Sequence, residues 1–76
     1  MELASLRAFA AVARFRSFSQ ATDHLHLTQP AVSKRISKLE EALDSKLLER
    51  RGRQIELTEA GRALLSRVQD VEQSVK

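Results

Sequence analysis

The 76-residue chain has no cysteine, no tryptophan and no tyrosine, one proline and two glycines. Without cysteine it can form neither a disulfide nor a thiolate metal site. Its only aromatics are three phenylalanines, set at helical, core-like positions, so a base-stacking platform of the kind that binds RNA is disfavoured. No apolar run approaches the roughly 20 residues that span a bilayer. The start Met-Glu-Leu-Ala carries an acid early and no basic segment ahead of an apolar one. A secretory signal is therefore not expected, and the cytoplasm is the default location. There is no Gly-rich phosphate loop and no nucleophile with a base at a recognisable spacing, so an enzyme is not expected either. Internal repeats and low-complexity linkers are also missing. A chain this short buries only a modest share of its surface, and such domains often lean on staples or partners. With disulfides excluded, a dimer interface is the natural source of extra burial.

What is present is a soluble, globular balance, 42% hydrophobic and 30% charged, with a net charge of +3 and a pI near 10.0. A basic balance favours a polyanionic partner only weakly. Its distribution says more. Between Lys34 and Arg53 stand seven basic and four acidic residues, so this stretch carries the same net +3 as the whole chain.

Leu3, Leu6, Phe9, Ala10 and Ala13, with Val12 beside them, predict an amphipathic first helix over Glu2–Arg14. Ser19 is well placed to cap a second helix, Gln20–Leu25. Thr28 suits the cap of a third, with Pro30 in its first turn, where a missing N–H costs nothing. Val32, Ile36, Leu39 and Leu43 then share one stripe, with Pro30, Ser33, Lys34, Ser37 and Lys38 opposite. Asp44-Ser45 can end that helix. Leu47–Arg50 and Gln54–Leu57 read as two short strands joined through Arg51-Gly52-Arg53. Thr58 can cap a last helix running toward the C-terminus, with Glu59 beside its N-terminal dipole. Leu57, Leu64 and Val71 are seven apart, and so are Gly61, Val68 and Val75, which gives a seam suited to helix pairing.

The expected fold is mainly α: a winged helix-turn-helix of three helices and a two-stranded wing, then a long dimerisation helix. Residues 1–58 form the first unit, with the helix-turn-helix near 18–37 and the wing near 47–57. Residues 59–76 form the linker helix. A helix fits the major groove of B-form DNA and meets base edges near its N-terminus. Small polar groups at Ser33 and Ser37 permit close approach, and Pro30 can rest on a thymine methyl. Candidate DNA contacts are Thr28, Gln29, Pro30, Ser33, Lys34, Lys38, Arg51 and Arg53. Candidate dimer contacts are Leu64, Val68 and Val71. The competing reading of the Lys/Ser face is an ordinary solvated surface, and that of the wing arginines is a soluble hairpin tip. Arg50 can instead be structural, paired with an acid. His24 and His26 lack a third ligand and make a poor metal site. A protein-recruiting helical module is the alternative function, and salt-dependent binding to duplex DNA separates the two.

Phe18-Ser19-Gln20-Ala21, Leu25, Leu27-Thr28-Gln29-Pro30-Ala31-Val32-Ser33, then Ile36, Leu39, Glu40 and Leu57-Thr58-Glu59-Ala60-Gly61 together resemble the N-terminal domain of LysR-type transcriptional regulators. The likeness covers nearly the whole chain in register. It implies groove-facing Gln29, Pro30, Ser33 and Lys34, a wing that includes Arg53, and a linker helix that makes dimers. It also implies a much longer regulator that binds a palindromic promoter site, forms tetramers, and senses a small molecule through a C-terminal domain beyond this segment. No cofactor is expected in the segment itself. Thr22, Asp44 and Leu48 stand where that family often has Ala, Gly and Phe.

Overall fold

In a computed structural model, backbone is described for residues 2–75 and side chains for residues 2–69. The elements are α1 (Leu3–Phe15), α2 (Phe18–Leu25), α3 (Gln29–Leu43), β1 (Leu48–Arg51), β2 (Gln54–Leu57) and α4 (Glu59–Val75). The expected order is observed: three helices, a hairpin, a long helix.

Hydroxyl residues set the starts of α2, α3 and α4. Thr28 Oγ1 accepts from the Ala31 N–H at 3.3 Å, and Thr58 Oγ1 accepts from Gly61 N–H at 3.0 Å. Each satisfies one of the orphan donors of a first turn. The second helix corrects the sequence reading. Its cap is Ser17, not Ser19, with Ser17 Oγ accepting from Gln20 N–H at 3.2 Å. Ser17 is extended, while Ser19 is already helical. The helix ends share another device. Arg16, His26 and Asp44 close α1, α2 and α3 in the left-handed conformation, at φ of 53°, 57° and 49°. The chain therefore turns out of each of these three helices without a glycine.

α1 lies at the centre and packs on α2, α3, α4 and β2. Its alanines, Ala8, Ala11 and Ala13, are buried and allow close approach, while Phe9 and Val12 fill the middle at 0% exposure. From α3, Val32, Ile36 and Leu39 are buried in the same core. Leu6 and Leu25 pack against it half-buried. Leu3 departs from its expected place in the inner stripe: it is 62% exposed, at the open N-terminal end of α1.

The hairpin also refines the reading. Leu48 pairs with Leu57, Arg50 with Ile55, and Arg51 with Gln54. Arg51 is thus a strand residue, and the turn is the pair Gly52-Arg53. Gly52 has a φ of 61° and Arg53 does not go positive. A positive φ at the first central residue alone is the pattern of a II′ turn, which suits the twist of short hairpins. Leu47, expected to open the first strand, precedes it. Its N–H donates to Glu40 Oε2 at 2.8 Å, and its carbonyl accepts from Thr58 N–H at 3.1 Å. Its side chain is buried at 1% exposure. One residue thereby fastens the end of α3, the base of the wing and the start of α4.

Candidate nucleic-acid interface

α3 turns one face inward and presents the other. At about 100° per residue, Lys34 stands nearly opposite the buried stripe, Pro30, Ser37 and Lys38 flank it, and Ser33 lies at the border. Exposure follows this geometry: Pro30, Lys34, Ser37 and Lys38 are exposed, and Ser33 is half-buried. Gln29, the first helical residue, is exposed. Thr28 is exposed as well, but its hydroxyl oxygen already accepts from Ala31 N–H. A cationic, small-residue surface thus runs along the N-terminal half of a helix whose other side is anchored.

The two faces of the wing differ. Glu49, Glu56 and Arg51 lie on the outer face, where Glu49 sits opposite Glu56 and Arg51 Nε is 3.3 Å from Glu56 Oε2. Arg51 is therefore engaged in offsetting an acidic pair. Arg50 shares the inner face with Ile55. No acid is its partner among the described residues. Its guanidinium carbon lies 5.1 Å from the centroid of the Phe18 ring, a cation–π arrangement that joins the wing to the first turn of α2. Arg16 ties the same corner, with Nε donating to Ala13 O at 3.2 Å and Nη1 to Ile55 O at 3.4 Å. Arg53, on the turn, is exposed and in no ion pair among the described residues. The structural role expected for Arg50 is thus met by a ring and not by an acid, and the role of Arg16 was missed, because both contacts reach across many residues that no local spacing signals.

The histidines do separate jobs. His24 meets the Phe15 ring edge-on at 5.4 Å between centroids, and His26 occupies the left-handed cap of α2.

The seam expected on the last helix is divided. Leu57 lies in β2, before the Thr58 cap, so it is not a helical seam position. Gly61 is buried and faces inward: a Cβ there would sit 2.2 Å from the Leu47 carbonyl oxygen. Leu64 packs half-buried against the chain's own core. Val68 and Leu65 border an open groove of about 800 Å³ facing Ala10, Arg14 and Phe15 of α1. The Val71 and Val75 side chains lie outside the described residues. No helix among the described residues is long and apolar enough to cross a membrane.

Comparison with known proteins agrees with this geometry. The family model described as bacterial regulatory helix-turn-helix protein, lysR family, matches residues 3–62. An uncharacterized HTH-type transcriptional regulator from the ibpB-leuC intergenic region of Azotobacter vinelandii is 64% identical over 67 residues, covering 88% of this chain and 46% of that protein. The RuBisCO operon transcriptional regulator of Allochromatium vinosum is 43% identical over the whole chain, which spans 25% of its length. The chain thus spans less than half of these relatives. Among solved structures, the CbnR DNA-binding domain in complex with DNA superposes with a TM-score of 0.89 at 37% identity, covering 99% of this chain and 86% of that one. The BenM DNA-binding domain on its catB site 1 DNA gives 0.86 at 39% identity, over 99% and 88% of the two chains.

Proposed function

This chain belongs to the lysR family of bacterial regulatory helix-turn-helix proteins and carries its DNA-binding winged helix-turn-helix, and from that premise we propose how it engages a promoter. α3 enters the major groove of double-stranded DNA, with Gln29, Pro30, Ser33 and Lys34 at the base edges and Lys38 near the backbone. The wing follows the flanking backbone or minor groove through Arg53. The observation that carries this reading is the split of α3 into a buried stripe and an exposed polar face. A helix held on one side can be offered to a groove without losing its own packing. Selection of bound duplexes from a random library tests it. A recovered consensus with two symmetric half-sites is the expected result. Failure to enrich any duplex overturns the reading, and an asymmetric single site overturns the dimer.

Two copies pair through α4, with Val68 and Val71 at the contact and Leu64 bridging it to the core. A charge placed in such a seam must be desolvated or must force the seam open. Val68→Glu should therefore sediment as a monomer where the parent chain sediments as a dimer. A parent chain that stays monomeric at high concentration removes pairing for this segment. The segment acts in the cytoplasm, without catalysis and without a cofactor of its own. A small-molecule effector and any tetramer belong to the longer regulator.

A further inference from the structure

Arg16, Arg50 and Arg53 reach one cleft from separate parts of the chain. It lies between the wing and the first turns of α2 and α3, with Ser17, Ser19 and Gln29 also on its walls. Among the described residues no carboxylate lines it, and the open cleft has a volume of about 250 Å³. Pockets for organic ligands usually run from about 300 to 1,000 Å³ and are mostly apolar. A smaller, cation-lined cleft suits a compact anion. Two of the guanidinium groups are already held there, Arg16 by the carbonyls of Ala13 and Ile55, and Arg50 by the Phe18 ring. Neither a carbonyl nor a ring face carries a formal charge, and among the described residues no acid pairs with either cation. Arg51 is the contrast, since it lies on the other face of the hairpin against Glu56.

We propose that this cleft seats one backbone phosphate of the bound duplex, a phosphodiester held by Arg53 and Arg50 with Arg16 as a preset third charge. The inference rests on the DNA-binding reading above and adds a defined subsite to it. Guanidinium forks match phosphate oxygens in geometry and charge. Phe18 and Ser19, in the first turn of α2, add backbone N–H groups with no intrahelical acceptor. Because Arg16 and Arg50 are positioned before binding, less side-chain freedom is lost when the phosphate arrives. A phosphate seated there touches wing and helix-turn-helix together and fixes the angle between them.

The test uses the duplex consensus from the selection experiment, with its natural backbone and with each linkage of one half-site replaced in turn by an uncharged methylphosphonate. Affinities are measured for the parent chain, Arg53→Ala and Arg50→Met, with melting curves confirming that each is folded. Arg53 is an exposed turn residue, so its variant keeps the test open if Arg50→Met does not fold. At one linkage, neutralisation should cost the parent about tenfold and each arginine variant less than about threefold, since the contact is already gone. Full additivity at every linkage overturns the phosphate seat, as does a parent insensitive to all of them. If the parent does not retain even the natural duplex, the DNA-binding reading falls and the seat falls with it.

Discussion

Along α3, Val32, Ile36 and Leu39 are each 4% exposed or less, whereas no residue of β1 is buried. Both regions are basic, yet they are fixed in different ways. α3 is held by apolar burial spread over two turns, reinforced from α1 by Phe9 and Val12. Within the wing only Ile55 and Leu57 are buried, each 8% exposed, with Leu48 half-buried beside them, and at its base the wing depends on Leu47, with Arg16 and Arg50 tying its inner side. Distributed burial tolerates the loss of a surface group anywhere on the helix. A hinge-like base concentrates the same dependence on a few atoms. The element proposed to read bases is therefore rigid, and the element proposed to follow the backbone is braced at points.

The largest effect expected from breaking this contrast is at Ile36. Removing a buried side chain of this size costs about 2–5 kcal/mol. In a domain of this length each kcal/mol moves the melting temperature by about 4–8 °C. A thermal melt of Ile36→Ala that overlays the parent curve would mean α3 is not held by its stripe. Next comes the wing base. Gly61→Ala places a methyl 2.2 Å from the Leu47 carbonyl oxygen, a backbone atom that cannot rotate away. Overpacking of this kind costs about 1–3 kcal/mol. Urea unfolding measures the loss, and amide shifts should change most between Leu47 and Thr58. A loss confined to α4, with the wing resonances unmoved, would show that Leu47 does not couple the two.

Function offers a finer cut. Phosphate contacts supply affinity and salt dependence, and base contacts supply preference. Arg53→Ala should weaken specific and scrambled duplexes alike and flatten the slope of log affinity against log salt by about one unit per site. Lys34→Ala, and more so Ser33→Ala, should reduce discrimination by about 1–3 kcal/mol at the affected base pair. Paired salt titrations on both duplexes read out each variant. Reversed roles would mean that the wing reads sequence and the helix positions.

α3 was almost wholly legible in the sequence, because every signal for it is local. Thr28 marks its start, Pro30 its first turn, the stripe its inner face, and Asp44 its end. Ser17 and Ser19 flank Phe18 with chemically equal hydroxyls, so spacing could not choose between them. The choice goes with Phe18 becoming the first helical residue, where its ring meets Arg50 from the wing. Leu47 looked like a strand residue, but its N–H is spent on Glu40, seven positions upstream. The heptad from Leu57 crossed a helix start that Thr58 itself announces. Spacing of seven is blind to such a boundary, while Gly61 serves a close approach within the chain instead of an open seam. Pro30, Lys34 and Lys38 of the candidate site were legible as an exposed face. The cleft around Arg16 and Arg50 was not, since Arg16 meets Ile55 from 39 positions away.

The smallest effect expected is at the joint between the two regions. Asp44 ends α3 at a φ of 49°, and its N–H donates to the carbonyls of Glu40 and Glu41. A left-handed L-residue carries strain of roughly 1–2 kcal/mol, which Asp bears better than most. Glycine removes that strain but loses more backbone freedom on folding, by roughly 0.5–1 kcal/mol. The two effects nearly offset, leaving Asp44→Gly with a gain of no more than about 1 kcal/mol. Asp44→Val keeps the strain and adds a β-branch, so it should lose about 1 kcal/mol or more. Chemical denaturation of the two variants side by side measures both signs. Should Asp44→Gly prove as damaging as Asp44→Val, the Asp44 side chain is holding the joint, and the left-handed backbone is not what matters there. Duplex affinity of Asp44→Gly sharpens the comparison further, because the backbone path from α3 to Leu47 is unchanged by it. Affinity should stay within about twofold of the parent, a shift of under half a kcal/mol, and a larger loss would mean that the wing's angle is set at this turn and not at Leu47.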